Sequence, residues 1–189
     1  MQHPEPQLDE LYREVVLDHY KNPRGRKPVE SPHVCNEGFN PLCGDEVKIA
    51  IRLEGDRLGE VEVSGRGCSI SVASGSMMAG ELLGKRIGDA RAIFKVFKAI
   101  MHGVERPDGV DLGDLEALEG VRKFPVRIKC ALLPWVTLID ALDAIEKGAD
   151  RLRTASTTEE EGEEIPASVA QPDIDRPGIP CDPGSDPED

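Results

Sequence analysis

The sequence predicts an α+β fold, and three observations lead to that prediction. Of its 189 residues, 39% are hydrophobic but only 4% are aromatic, so a single core must rest on Val, Ile, Leu and Met, as in small layered domains. Between residues 47 and 64 apolar residues recur at every second position, which is the period of a half-buried strand. Elsewhere they recur every three or four positions, which is the period of an amphipathic helix.

The N-terminal half begins with a predicted helix over residues 8–21, where apolar side chains and His19 fall at helical spacing. Pro23 ends this helix, because a proline moves the preceding residue out of the helical region. A loop rich in proline and basic residues then carries the chain to Cys35. From Val47 the alternating pattern, the EGDRLG run and the EVEVSG run predict an antiparallel hairpin with one buried face.

The C-terminal half is predicted to be mainly helical. A helix is expected over residues 69–85, with Gly84 ending it, and another over residues 89–103. The polar stretch 104–120 predicts an irregular connection with a short helix inside it.

The last long helix contains a proline that constrains where it can begin. Pro134 is tolerated only near the first turn of a helix, because a later proline removes a backbone hydrogen bond. We therefore expect this helix to begin at or just after Cys130 and to end near Gly148.

Charge divides the chain into two unequal parts. The formal net charge of −13 argues against non-specific nucleic-acid binding, which needs a basic surface. Eleven acidic and three basic residues lie between Arg151 and Asp189, which accounts for −8 of that total. We expect a folded domain over residues 1–150 and an acidic, disordered, solubilising tail over residues 151–189.

The sequence also predicts the compartment. The first ten residues lack both a basic leader and an apolar core, and no run is apolar enough to span a membrane. We therefore expect a cytoplasmic protein with no membrane partner. In a reducing compartment the five cysteines are not expected to form a disulfide framework, which points to metal or thiol chemistry.

Three cysteines lie at junctions between predicted elements. Cys43 precedes a strand, Cys68 lies between the hairpin and a helix, and Cys130 begins the last helix. Residues i and i+2 of an extended segment face the same side, so Cys43 and Asp45 can reach one ion while Gly44 adapts the backbone. Three thiolates and one carboxylate suit zinc or the iron of an iron-sulfur cluster.

Nearby charges favour the same site. At a predicted helix N-terminus, as for Cys68 and Cys130, the helix dipole stabilises a thiolate. Zinc with three thiolates and one carboxylate has a net negative charge, which three basic residues beside the ligands in the sequence are expected to offset. These residues are Arg66, Arg127 and Lys129.

Simpler interpretations also exist for the individual cysteines and for His19. The spacing alone is a weak signal because the chain has no CxxC pair, and any single cysteine can be a small buried apolar residue. Cys35, in a predicted loop, and Cys181, in the predicted tail, are interpreted as bystanders. His19 is interpreted as a packed helix residue.

Four motifs in order resemble a known family. LYREVVLDHYKNPRG, NPLCGDEV, GRGCSISVASGSMM and RIKCALLPW resemble the IscU/SufU family of iron-sulfur cluster assembly proteins, and are most similar to its SufU branch. The resemblance covers residues 8–148 and implies a small three-stranded antiparallel sheet with helices packed against it. By position it implies four metal ligands. They are Cys43, Asp45, Cys68 and Cys130.

Two features favour the SufU branch over the cluster scaffolds. Scaffolds carry a histidine immediately before the last cysteine, where this chain has Lys129, and they lack the VERPDGVDLGDLEALEG stretch. The resemblance therefore implies a zinc-dependent sulfurtransferase that works with a SufS-type cysteine desulfurase and serves downstream iron-sulfur assembly proteins. It implies that Cys43 accepts persulfide sulfur when a desulfurase histidine takes its place on zinc, while the other three ligands retain the metal.

Two alternatives stay open. The same four ligands can carry a [2Fe-2S] cluster that is assembled and handed on, although Lys129 is a poor substitute for a histidine ligand. A zinc-stabilised adaptor that only binds the desulfurase is the non-catalytic alternative.

Overall fold

The structure is a computed structural model that describes residues 6–107 and 111–148, together with the backbone of residues 155–157. Helices and strands occupy separate stretches of the chain, which confirms the predicted α+β class. None of the helices within these residues combines the length and the apolar character that a membrane crossing requires. The elements are α1 Pro6–Lys21, β1 Val34–Asn40, β2 Asp45–Glu54, β3 Arg57–Arg66, α2 Ser69–Leu82, α3 Ile87–Met101, a 3₁₀ helix Gly113–Lys123, α4 Pro125–Glu146 and β4 Ala155–Thr157.

The predicted hairpin is confirmed as β2 and β3, which form one side of the sheet, with β3 at its edge. The two strands pair antiparallel, with Ile49 opposite Val63. Gly55 has a φ of +62°, a conformation that glycine adopts without strain, and it turns the chain between them. The strand order is β3-β2-β1-β4.

Strand β1 was not predicted from the pattern, which indicated a loop up to Cys35. It pairs antiparallel with β2 along its whole length, and it completes the three-stranded antiparallel sheet that the family resemblance implies. The positions of β1 that face α4 include Asn36, Gly38 and Asn40 instead of large apolar residues. The apolar alternation that marks a half-buried strand is therefore missing from this segment.

A fourth strand lies beyond the predicted end of the domain. Residues Ala155–Thr157 form β4, which pairs parallel with β1 through Glu37–Phe39. Sheet pairing thus extends past residue 150, into the segment that we expected to be a disordered tail. The rest of that segment, residues 151–154 and 158–189, lies outside the described residues.

Three predicted helices are confirmed within a few residues at their ends. They are α1, α2 and α3, and the polar stretch after α3 contains the 3₁₀ helix as its short helix. His19 of α1 is buried, as interpreted, and its ring nitrogens contact Ser76 Oγ at 2.8 Å and Asp114 Oδ2 at 2.9 Å. These contacts join α1 to α2 and to the 3₁₀ helix.

The predicted start of the last helix is wrong. Helix α4 begins at Pro125, five residues before Cys130, and Pro134 lies inside it. A proline suits the first helical position, and Pro125 fills that position. Pro134 was therefore misinterpreted as the marker of the helix start, and Cys130 lies in the second turn.

The interior proline is accommodated by a neighbouring helix. Pro134 has no N–H to donate within α4, and a proline ring loosens the turn before it. Ser74 of α2 donates its hydroxyl hydrogen to the carbonyl oxygen of Ala131 at 2.6 Å, in a fully buried position. This hydrogen bond satisfies a carbonyl in the loosened turn and ties α2 to α4.

The core lies between the helices and one face of the sheet. Trp135 of α4 is fully buried and its ring contacts Phe97 at 5.4 Å and Phe94 at 6.2 Å between centroids. Around these rings the core is aliphatic, as the composition predicts. Its fully buried large side chains include Ile49, Ile51, Leu58, Met78, Leu82, Met101, Leu118 and Leu133.

The close approach of β1 to α4 gives a testable prediction. A Cβ atom added at Gly38 would lie 2.0 Å from Thr137 Oγ1 and 3.1 Å from Leu133 Cδ1. Gly38→Ala is expected to lower the free energy of unfolding by about 1–3 kcal/mol, because a packed interface must open to admit the methyl group. The measurement is urea denaturation followed by circular dichroism.

Gly88→Ala is the matched control. Gly88 lies in α3, and a Cβ atom added there would meet nothing within 4 Å beyond its own helical turn. Alanine at this position is therefore expected to be neutral or to stabilise by up to about 1 kcal/mol. Equal stability of Gly38→Ala and the wild type would show that β1 and α4 are not packed this closely.

Candidate metal centre

The predicted ligands converge at the end of the β1–β2 connection. Cys43, Asp45 and Cys130 each place a ligand atom within 4.8 Å of the other two. The sulfur atoms of Cys43 and Cys130 are 3.1 Å apart, although 87 positions separate these residues in the chain. Cys68 lies beside this group, with its sulfur 3.5 Å from Asp45 Oδ2.

A tight turn presents the first two residues. The backbone oxygen of Asn40 accepts hydrogen bonds from the N–H groups of Cys43 at 3.3 Å and of Gly44 at 2.9 Å. Gly44 has a φ of +68°, which is strained for residues with a Cβ atom. Its sequence-based role in adapting the backbone between Cys43 and Asp45 is thus supported by the conformation of the turn.

Asp45 holds the start of α2 in place. It is 1% exposed, and its Oδ1 accepts the backbone N–H of Cys68 at 2.8 Å. A buried carboxylate is stable only when paired or hydrogen-bonded. A Cβ atom at Gly67 would approach the Asp45 side chain to 3.2 Å, so the small residue before Cys68 allows this close contact.

Cys68 is the thiol whose environment most favours the thiolate. Its hydrogen bond with Cys130 lowers the pKa of Cys68 to about 6, helped by the backbone N–H groups of Ser71 and Ile70 and opposed by burial and by Asp45. Cys68 is the N-cap of α2, where the helix dipole favours a negative charge. The predicted position of Cys68 at a helix N-terminus is confirmed.

The corresponding expectation for Cys130 is wrong. Because α4 begins at Pro125, Cys130 is not at a helix N-terminus. It is fully buried, and the hydrogen bond with Cys68, together with burial and the contact with Cys43, raises the pKa of the Cys130 thiol. The two thiols therefore form a coupled pair, in which the pKa of Cys68 is lowered and that of Cys130 is raised.

The three basic residues differ in their relation to the site. The exposed Arg127 lies near Cys68 and Cys130, and the charge of Cys68, with a smaller effect of Cys130, raises the pKa of the guanidinium group. Arg66 instead pairs with Glu46, at 3.2 Å. Lys129 is half-buried in α4, directly before Cys130. The role of Arg66, Arg127 and Lys129 in offsetting the charge of the ligands stays a prediction.

The donor set fits a thiophilic metal ion. The sulfur atoms of Cys43 and Cys130 are 3.1 Å apart, beside the buried carboxylate of Asp45. If all three groups were ionised, their negative charges would repel one another. A cation bound among them would remove that repulsion. Thiolates favour zinc and iron-sulfur iron over magnesium or calcium. The chemistry of Cys43, Asp45, Cys68 and Cys130 therefore suits the metal that the sequence predicts.

Cys35 is separate from this group. It is 5% exposed and packs with Val29 and Ala50 in a small cluster apart from the main core. Cys43, Cys68 and Cys130 are free thiols. The interpretation of Cys35 as a bystander of the metal site agrees with its position. Cys181 lies outside the described residues.

Sequence reasoning missed two features around the site. Asn40 is fully buried and its side-chain amide contacts Cys130 Sγ at 3.4 Å. Three large apolar side chains nearby in the chain are more than half exposed, namely Leu42, Phe124 and Val126. An Asn-Pro pair before the cysteine marks a turn, which was the only signal for Asn40.

Comparisons with known proteins agree with this geometry. The model of the family described as NifU-like N terminal domain matches residues 11–131. The zinc-dependent sulfurtransferase SufU of Bacillus subtilis is 48% identical over 141 residues, which are 75% of this chain and 90% of that protein. The iron-sulfur cluster assembly scaffold protein IscU of Streptococcus pyogenes is 34% identical over 158 residues, 84% of this chain and 97% of that protein.

Solved structures share the fold. A crystal structure described as a putative iron-sulfur cluster assembly scaffold protein for the SUF system, from Fervidobacterium islandicum, matches with a TM-score of 0.65 and 36% identity, covering 68% of this chain and 94% of that one. A NifU-like N-terminal protein from Brucella abortus matches with a TM-score of 0.67 and 21% identity, covering 74% and 97%. With the family model, the relatives and the shared fold in agreement, the chain belongs to the IscU/SufU family of NifU-like N-terminal domains.

Proposed function

We propose that this protein is a zinc-dependent sulfur-transfer protein, which accepts persulfide sulfur from a SufS-type cysteine desulfurase for iron-sulfur cluster assembly. The observation that carries the proposal is the convergence of Cys43, Asp45 and Cys130 beside Cys68, at a site where Lys129 precedes the last cysteine. The 48% identity to a protein named as a zinc-dependent sulfurtransferase supports the same choice.

Zinc would be held by Cys43, Asp45, Cys68 and Cys130. Bound zinc would keep its thiol ligands deprotonated near neutral pH. Arg127, whose guanidinium group interacts electrostatically with Cys68 and Cys130, would offset the negative charge of that ligand set. In the metal-free protein the Cys68 thiol already has a pKa of about 6, so one ligand needs little help to ionise.

Cys43 is the proposed sulfur acceptor because of its position. It lies in the turn, half-buried, whereas Cys130 and Asp45 are buried. Cys68 is also half-buried, but helix N–H groups and Arg127 hold its charge. Stabilisation of that kind lowers the nucleophilicity of a thiolate.

The transfer is an exchange between two sulfur-sulfur bonds. The Cys43 thiolate attacks the outer sulfur of the desulfurase persulfide, a bond from Cys43 to that sulfur forms, and the desulfurase cysteine leaves as a thiolate. The outer sulfur keeps its oxidation state and its proton, so no further oxidant or reductant is required. The persulfide on Cys43 is then available to downstream iron-sulfur assembly proteins.

The desulfurase would dock over the exposed apolar side chains at the site. Leu42 adjoins Cys43, and Phe124 and Val126 precede Cys130 at the beginning of α4. Val126 lies next to the ligand in space, since its carbonyl oxygen is 3.8 Å from Cys130 Sγ. Apolar side chains beside a reactive group are typical of a surface that a partner protein covers. A cytoplasmic setting belongs to the same proposal, because transfer needs reduced thiols.

A [2Fe-2S] scaffold is the second candidate, because a protein named as an IscU scaffold is 34% identical over most of its length. The residue before Cys130 counts against it. The ammonium group of Lys129 has no lone pair for iron, whereas a histidine at that position would have one. The adaptor is the third candidate.

The test combines metal analysis with sulfur mapping. The purified protein is expected to contain stoichiometric zinc and to be colourless, and radioactive sulfur from desulfurase and labelled cysteine is expected on the peptide that carries Cys43. Bound iron and sulfide with visible absorbance would overturn the proposal in favour of the scaffold. Zinc without any label on the protein would overturn it in favour of the adaptor.

A further inference from the structure

One side chain links the two halves of the metal centre. Asn40 is the last residue of β1, is fully buried, and lies directly opposite Asp45 in the β1–β2 register. Its neighbour across the interior is Cys130 of α4, 90 positions further along the chain. Asn40 therefore adjoins two segments that carry proposed ligands, the start of β2 with Asp45 and helix α4 with Cys130.

The two ends of the Asn40 amide have different partners. Oδ1 accepts the backbone N–H of Leu42 at 3.1 Å, so the carbonyl end is fixed by a group that can only donate. The amino group must then point the other way, and Nδ2 donates to Cys130 Sγ at 3.4 Å. The hydrogen-bond network thus determines the orientation of the amide.

The backbone of Asn40 shapes the turn that carries Cys43. Its carbonyl oxygen accepts the N–H groups of Cys43 and Gly44, and its side chain accepts the N–H of Leu42. Three successive N–H donors of the turn are thus bound to one residue. Within the described part of the chain, no side-chain amide donates to the sulfur of Cys43 in the same way.

We propose that Asn40 is a positioning residue of the metal centre, which holds the Cys130 sulfur as a permanent ligand and sets the turn that presents Cys43. The inference rests on the proposed function, in which one thiolate must leave the metal while the others stay. An N–H donor to a buried thiolate stabilises its charge and makes it less nucleophilic. The protein would thereby distinguish two sulfurs that lie 3.1 Å apart.

The variant that tests this is Asn40→Ser. A serine hydroxyl can still accept the Leu42 N–H, as serine does in turns, but it is too short to reach Cys130. The variant is expected to bind zinc about 10–100-fold more weakly, the usual cost of losing a hydrogen bond to a ligand. After reaction with the persulfidated desulfurase, sulfur is expected on Cys130 as well as on Cys43.

Asn36→Ser is the matched control. Asn36 lies on the same face of β1, is also fully buried, and donates its amide hydrogen to α4, but to the carbonyl oxygen of Thr137 at 2.8 Å. It is expected to lose stability like Asn40→Ser while it keeps the zinc affinity and the labelling of the wild type. Wild-type zinc affinity in Asn40→Ser, or an equal loss in Asn36→Ser, would overturn the proposal.

A measurement on the wild-type chain covers the case in which Asn40→Ser does not fold. In nitrogen-15-labelled protein loaded with cadmium-113, the side-chain amide protons of Asn40 are expected to show scalar coupling to the metal through the sulfur. Absence of coupling at Asn40, with coupling at other N–H groups, would overturn the inference. These metal readouts are independent of sulfur transfer, so failure of the proposed function would be seen separately, as a wild type that accepts no label.

Discussion

Replacement of Cys43 by serine is expected to abolish sulfur acceptance, with the initial rate of label transfer from the persulfidated desulfurase reduced by at least about 100-fold. Serine has nearly the shape of cysteine, but its hydroxyl is not ionised at neutral pH and is a poor nucleophile for a persulfide. The measurement is mass spectrometry of the intact protein after reaction with the desulfurase and cysteine. Circular dichroism checks that the variant is folded.

Cys35→Ser is the control for that result. Cys35 lies eight residues earlier and outside the metal centre, in the cluster with Val29 and Ala50. This variant is expected to accept sulfur at the wild-type rate. Full acceptance by Cys43→Ser would contradict the acceptor assignment and would direct attention to Cys68, the other half-buried thiol of the site.

Asp45→Ala has the second largest expected effect. It removes a proposed metal ligand and leaves the buried N–H of Cys68 without the carboxylate that accepts it at 2.8 Å. Zinc affinity is expected to fall by more than about 100-fold, because even partners that only support a ligand contribute about 10–100-fold. The free energy of unfolding of the metal-free protein should also fall, by about 1.5–3 kcal/mol, the worth of a hydrogen bond to a charged group.

Competition with a chromogenic chelator measures the affinity, and Asp56→Ala is the comparison. Asp56 pairs with Arg86 at 2.8 Å on the exposed surface, where an ion pair contributes little. Its removal should leave zinc binding unchanged. If Asp45→Ala retained zinc as firmly as Asp56→Ala, the carboxylate would not be a ligand.

The sequence predicted those parts of the fold that depend on periodic apolar residues. Strands β2 and β3 alternate, α1 and α3 follow the helical spacing, and α2 is a run of small and then apolar residues, so their positions were correct within a few residues. Strand β1 was missed because Asn36 and Asn40 take the positions that an apolar pattern would fill. The start of α4 was misplaced because Pro134 was interpreted as a marker of the helix start, whereas Pro125 fills the first helical position.

The sequence predicted those parts of the site that have a signal in their own stretch of the chain. Cys43, Asp45 and Cys68 stand at element ends that the sequence marks with glycine, and the structure brings them together with Cys130. The position of Asn40 against Cys130 depends on how β1 packs on α4, which no local pattern encodes. The opposite pKa shifts of Cys68 and Cys130 depend on the same packing.

The hydrogen bond between Ser74 and Ala131 has a consequence for how the site is filled. It fixes α2 to α4 six residues beyond Cys68 and one residue beyond Cys130, so the spacing of these two thiols is set by the core. Conformational entropy for this half of the site is lost during folding and not when the ion arrives. For the proposed function, this means that the Cys43 turn can release and recapture its metal contact without disordering the domain.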